Sequence, residues 1–219
     1  VSRVRLRQMR YYDTDKPKRW DDGTELAVPE ERIYGAGIPG IADRVRKNLG
    51  EDILGIKVQY TWDDFKAVYD EGVPNAVLAV GSNKKRKHLF NELTEIGYSI
   101  KTLIDPSALI NKDAKIGVGT TICMGVIIGP LVSIGDNCII YTGATIDHET
   151  IIKNDCFIAP GVSIAGRVSI ENGSFIGIGC SIREKIKIGA NTLIGAGSVV
   201  INDFPSNTKV GGVPAKQLN

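Results

Sequence analysis

From Ile110 to Ile194 every sixth residue of the chain is isoleucine, without exception. Ile104 extends the ladder backward and Val200 extends it forward. Helices repeat their apolar positions every 3.6 residues and strands every 2, so neither explains a period of six. Two positions before each isoleucine stands a small or β-branched residue, as at Ala114, Thr120, Val126, Val132, Cys138, Ala144, Thr150 and Cys156. Glycine often follows the isoleucine, as at Gly117, Gly129, Gly135, Gly177, Gly189 and Gly195. The pattern predicts a short strand and a turn, repeated, with the isoleucine inward and the glycine permitting a tight backbone. Three such units make one triangular coil. A single coil cannot bury its own apolar face, so stacking must close the core. At a spacing of roughly 4.8 Å, about five coils give a prism on the order of 25 Å long.

The frame does not slip between 104 and 200, which predicts a repeat without inserted loops. The expected divisions are a small α/β domain over 1–104, a β-helix over 105–203 and a tail over 204–219. In the first of these, 32–34 reads as a strand, 35–40 as a Gly-rich turn and the stretch to Leu49 as a helix. Ala76 to Val80 is a buried-strand run that ends in Gly81-Ser82-Asn83. Lys85 to Ile96 has helical spacing with Leu89, Leu93 and Ile96 on one face, and 99–103 reads as a further strand. Alternating strands and helices predict a small parallel α/β domain. Tyr11-Tyr12-Asp13-Thr14-Asp15 resembles the acidic end of the second strand of a nucleotide-binding unit, yet it precedes the Gly-rich turn. In the tail, the segment from Val210 to Lys216 is expected to leave the prism. With no loops in the repeat, substrate choice falls to the N-terminal region.

Composition changes this picture little. The formal net charge of +2 over 219 residues does not point to nucleic acid. Arg3, Arg5, Arg7 and Arg10 read as a solvated arm. No apolar run approaches the ~18 residues of a membrane span. No signal-peptide pattern opens the chain, so cytoplasm is the default. Four cysteines without a CxxC pair make neither a disulfide nor a zinc framework. Cys138 and Cys156 are expected to stack as small core residues in consecutive coils.

The isoleucine ladder, with the tail Gly212-Val213-Pro214-Ala215-Lys216, resembles the hexapeptide repeat of left-handed parallel β-helix acyltransferases. The left hand is implied by the resemblance alone and runs against the usual crossover rule. Four segments narrow the resemblance: Tyr34-Gly35-Ala36-Gly37, Leu78 to Asn83 with Arg86, Leu103 to Ala108, and Thr142 to Glu149. They are similar to the sialic acid O-acetyltransferase and nucleotide-sugar 4-N-acetyltransferase family. That resemblance implies a mainly β fold with a Rossmann-like N-terminal domain. It further implies acetyl-CoA as co-substrate and a homotrimer with coenzyme A between adjacent prisms. The expected reaction is N-acetylation of a nucleotide-linked amino-deoxysugar for surface glycans. O-acetylation of a sialic acid is the same-class alternative, and a non-catalytic structural β-helix is the other.

Acetyl transfer from a thioester to an amine needs a base, an oxyanion donor and two substrates held together. Only two histidines exist, His88 and His148. His88 falls in a helical stretch and reads as exposed and structural. His148 falls at a turn between Asp147 and Glu149, and an imidazole exchanges protons near neutral pH. The resemblance implies that His148 is the general base, supported by Glu149. It makes the Gly166 N–H the oxyanion donor, and it aligns Ile178 and Ala196 with main-chain contacts to the pantetheine arm. Phe157 stands where a histidine commonly faces the coenzyme. Lys216 either meets the coenzyme phosphates or is a solvated tail lysine. On the sugar side, Gly35 and Gly37 let the backbone approach a diphosphate at a helix start. Asn83 either contacts the nucleotide or caps the next helix, and Tyr141 replaces a common asparagine near the base. The usual Gly-Gly-His or Ser-Gly-His is here Gly37-Ile38-Pro39, which loses a sugar-side histidine. A β-helix carbonic anhydrase would need three metal-binding histidines, so no metal is expected.

Overall fold

The computed structural model describes the strands Arg10–Tyr12, Ile41–Asp43 and Asp52–Ile53 and the stretch 56–218. The expected strand at 32–34 and the Gly-rich turn with Gly35 and Gly37 lie outside the described residues. Of the helix expected up to Leu49, Ile41–Asp43 is instead a strand, paired in parallel with Ile56–Thr61, and the remainder lies outside the described residues.

The isoleucine ladder folds as the pattern demands. Each isoleucine closes a two-residue strand, and the strands form three parallel faces. The second face is six-stranded, from Leu109–Ile110 through Ile127–Ile128, Thr145–Ile146, Ser163–Ile164 and Ser181–Ile182 to Val199–Val200. The prism therefore has six coils, one more than expected. Up to the last coil each rung pairs with the residue 18 positions on, as Ile122 with Ile140 and Ile146 with Ile164. Ile122, Ile140, Ile158, Ile170, Ile176 and Ile194 are fully buried. Burying a side chain of this kind contributes about 1.5–3 kcal/mol, and the ladder repeats that gain down the axis. The residues two places earlier also point inward, and their hydroxyls are satisfied there. Thr120 Oγ1 donates to the Gly135 carbonyl, and Ser174 Oγ to that of Gly189.

A second six-residue ladder accompanies the first. Every sixth residue from Gly119 to Gly197 has φ between 53° and 72°. These left-handed residues turn the three corners. They explain why the glycines after the isoleucines are needed for a different reason than expected. Gly129, Gly177 and Gly189 do not have positive φ. A Cβ on Gly177 would lie 2.6 Å from the Ala196 nitrogen, so that glycine is set by the approach of the next coil.

Both ends of the prism differ from the sequence reading. Thr102–Ile104 is already the first rung of the first face. Arg10–Tyr12 pairs antiparallel with it, so the Tyr11-Tyr12 segment covers an open prism edge instead of joining a nucleotide-binding sheet. At the other end the chain does not leave at Val210. Ile194 pairs with Val210 and Ile188 bridges Phe204, each 16 residues on, because the last coil is two residues short. Lys216–Gln217 then folds back antiparallel to Lys209–Gly211, and Ala215 is buried.

Before the prism, Asn75–Ala76 and Ser99–Ile100 pair in parallel across the helix Asn83–Ile96, one β–α–β unit. Leu89 and Leu93 are buried against Leu78, Tyr98 and Ile100. Gly97 ends the helix at φ 112°, where its N–H bonds Leu93 and Thr94 carbonyls. The expected strand from Ala76 to Val80 stops at Ala76. Its partner runs out at Ile100, because the chain enters the prism two residues later. Ile41–Asp43, Ile56–Thr61 and Asp52–Ile53 form a separate mixed sheet of three strands.

Candidate active site

The three corners carry different chemistry. On the second-to-third corner, consecutive coils place His148 beside Gly166 and Glu149 beside Arg167. A Cβ on Gly166 would lie 2.5 Å from His148 Nε2, so the imidazole occupies the space that glycine leaves. His148 Nδ1 lies 2.9 Å from Glu149 Oε2. The same oxygen accepts a bond from Arg167 Nε at 2.8 Å. The main chain is tied across the same coils, since Arg167 N donates to the His148 carbonyl at 2.9 Å. His148 N also donates to Asp147 Oδ1 at 2.7 Å.

This arrangement fixes the ring's roles. An ionised carboxylate accepts only, so Nδ1 is the donor, and in the neutral ring Nε2 keeps its lone pair. The bond to His148, and then that to Arg167, holds the Glu149 carboxyl below the usual carboxylate range. His148 and Glu149 remain two-fifths exposed, accessible to small molecules. The Gly166 N–H has no hydrogen-bond partner among the described residues. A base nitrogen and a free amide thus sit on adjacent coils, which suits acyl transfer. A shallow groove of about 430 Å³ borders this corner, floored by the short side chains Thr145, Ser163 and Ser181 on the second face. A larger concavity of about 480 Å³ lies on the third face around Lys187, Asp203 and Phe204, and His148 does not line it.

The other expected residues lie elsewhere on the same chain. Ile178 and Ala196 stack on the first-to-second corner, where Gly197 N bonds the Ile178 carbonyl at 2.7 Å. Tyr141 is on that corner too, its ring 5.4 Å from that of Phe157, which stacks on Phe175 at 4.8 Å. Lys216 is exposed in the terminal hairpin. Asn83 is the first residue of its helix, and Ser82 is the cap. The Asn83 amide donates to the Gly173 and Ser174 carbonyls on the third-to-first corner, and its oxygen accepts from Arg86. Sequence reasoning missed Arg167, whose 18-residue offset from Glu149 was the available signal. It also missed Arg86 as a docking residue. That guanidinium is fully buried and donates to the Asn137, Asp155, Cys156 and Val80 carbonyls. Among the described residues no group of three His, Cys, Asp or Glu side chains is placed to hold a metal. No described helix is long and apolar enough to cross a membrane.

A family profile for the GMPPB C-terminal domain matches residues 99–194, which is most of the prism. The chain is 32% identical to a histidine-to-alanine variant of GDP-perosamine N-acetyl transferase from Caulobacter crescentus, solved in complex with CoA and GDP-perosamine. The match has a TM-score of 0.76 and covers 77% of this chain and 80% of that one. The acetyltransferase domain of PglB from Neisseria gonorrhoeae, in complex with acetyl coenzyme A, is 28% identical. There the TM-score is 0.74, with 82% and 86% of the two chains covered. WeeI from Acinetobacter baumannii shares the fold at 23% identity and a TM-score of 0.74, with 82% and 85% covered.

Proposed function

Because the chain belongs to the left-handed β-helix acetyltransferases that include GDP-perosamine N-acetyl transferase, we propose that it acetylates the amino group of a nucleotide-linked amino-deoxysugar from acetyl-CoA. The observation that carries this reading is His148 itself, pinned through Nδ1 by Glu149 with Nε2 against Gly166. The acceptor amine attacks the thioester carbonyl and gives its proton to His148 Nε2. The Gly166 N–H donates to the carbonyl oxygen as it becomes an oxyanion. The carbon–sulfur bond breaks, and the imidazolium returns the proton to the departing thiolate. Acetyl-CoA supplies the activated acetyl group. The second-face groove beside His148, closed by the corner of a second copy that carries Ile178 and Ala196, would hold its pantetheine arm. Phe157 faces the coenzyme, Lys216 lies toward its phosphates, and Gly35, Gly37 and Tyr141 serve the nucleotide sugar.

The active unit is a homotrimer. Ile178 and Ala196 lie on one corner and His148 on another, so a second copy is needed to bring both to one cleft. Leu109, Ile127, Leu131 and Ile151 are exposed around the base's corner, an apolar surface that a neighbour would cover. The reaction takes place in the cytoplasm, which fits four unpaired cysteines.

A free-thiol release assay with acetyl-CoA and UDP-, GDP-, CMP- and dTDP-linked 4-amino sugars tests the reading. Thiol release with one of them, giving a product stable to hydroxylamine, is the expected result. A hydroxylamine-labile product would mean an ester and O-acetylation. No release with any acceptor would sink the assignment. Light scattering that gives a monomer at micromolar concentration would remove the shared cleft.

A further inference from the structure

The left-handed corner positions show a bias that the repeat does not require. Most hold Gly, Asn or Asp, the residues that tolerate positive φ. The ones that do not are Leu131, Glu149, Arg167 and Lys185, with φ of 59°, 57°, 61° and 60°. All belong to the second-to-third corner, the one that carries His148. Elsewhere the chain relieves this strain with the favoured residues; here it accepts the strain and keeps long side chains. Strain of this kind persists where surrounding contacts over-determine the residue, and it clusters at functional sites.

Glu149 is explained by its bond to His148. Arg167 is not needed by the repeat, and its Nε reaches the same carboxylate oxygen that holds the imidazole. We propose that Arg167 is a positioning residue for the reaction, acting through Glu149: it fixes the carboxylate against Nδ1 and opposes protonation of the ring before the acceptor amine delivers its proton. This rests on the reading of His148 as the general base. Two effects act in one direction. The guanidinium occupies part of the oxygen that would otherwise stabilise an imidazolium, and its positive charge repels one. The charged groups around the ring are Asp147, whose carboxylate bonds the His148 N–H, Glu149 and Arg167; Lys185 continues the corner one coil further on.

Arg167→Gly separates this role from a structural one. Glycine relieves the left-handed strain, so the variant should melt no lower than the parent. Its kcat should fall roughly 3- to 30-fold, well short of the ~10²–10⁴ that a general base supplies. The acid limb of its kcat/KM profile should move to higher pH by roughly half a unit to one unit. Arg167→Lys keeps the charge and should hold the limb near the parent position. With only two histidines in the chain, ring NMR resolves His148 directly, and exposed His88 serves as the reference. The His148 titration should move up in Arg167→Gly while that of His88 stays. Superimposable His148 titrations in parent and Arg167→Gly would overturn the proposal. If the parent acetylates no acceptor but the titration moves, the coupling to His148 stands and the acetyl-transfer reading falls.

Discussion

Two corners of the prism use the same backbone device for opposite ends. On the third-to-first corner, left-handed Asn137 and Asp155 are buried, and the helix Asn83–Ile96 docks on them. Arg86 reaches the Asn137 and Asp155 carbonyls, Lys87 pairs with Asp155 at 3.2 Å, and Asn137 Nδ2 bonds Asp155 Oδ1 at 2.8 Å. An amide ladder continues it, with Asp136 N bonded to Asn154 Oδ1 and Asn154 N to Asn172 Oδ1. On the second-to-third corner, Glu149 and Arg167 have the same conformation but stay open to solvent, with Glu149 bonded to both Arg167 and the His148 ring. The difference is burial. Polar groups taken out of water call for partners, and on the covered corner they find them, Asn137 Oδ1 excepted, so that corner becomes a joint. Groups left half in water keep unused bonding capacity, so the open corner is available for chemistry.

Substitutions on the two corners should therefore fail in different ways. The largest effect is expected from His148→Ala, which should cut kcat by ~10²–10⁴ in the thiol-release assay while the melting temperature hardly moves. A stability loss of the same standing would erase the contrast. Next comes Arg86→Ala on the buried corner. It strands several carbonyls and should cost on the order of 3 kcal/mol in denaturant unfolding. Burial pulls the pKa of the Arg86 guanidinium down, against the opposing pull of Cys138, Asp155 and Cys156. Arg86→Lys should recover little, because one ammonium cannot span the same carbonyls.

Gly166→Ala sharpens the open corner. Its Cβ meets the His148 ring, so the base must shift, and kcat should fall about 10- to 100-fold with the fold kept. Unchanged kcat would mean that the ring position seen here is not the working one. The smallest effect concerns Glu149→Gln and acid. The Glu149 carboxyl titrates below its usual range, so its bonds add stability above about pH 4.3 and lose it as pH falls through the lowered value. The melting-temperature gap between parent and Glu149→Gln should close as pH drops below about 4.5. A gap that widens there would reverse the sign of the argument.

Much of the fold was legible because each rung of a β-helix repeats one local rule. An isoleucine every sixth residue states the period, and the inward burial of Ile122, Ile140 and Ile158 follows from it. The left-handed ladder was legible only in part. Gly, Asn and Asp mark most of its positions, but Leu131, Glu149, Arg167 and Lys185 carry no such mark. His148 and Glu149 were readable as neighbours in sequence, whereas Arg167 lies one coil away. The ends were not readable. The run from Ala76 to Val80 has strand composition, yet strand pairing needs a partner, and the chain that would supply it turns into the prism.

The sequence by itself determined the period, the inward face and the residues with proton chemistry, because these depend on side chains and their spacing alone. Only the tertiary structure decided which residues meet across coils. It joined Arg167 to Glu149, gave His148 the space above Gly166, and turned Asn83 and Arg86 into a joint between helix and prism. The physical reason is that a solenoid makes neighbours of residues 18 apart, and burial then sorts those neighbours into structure or chemistry.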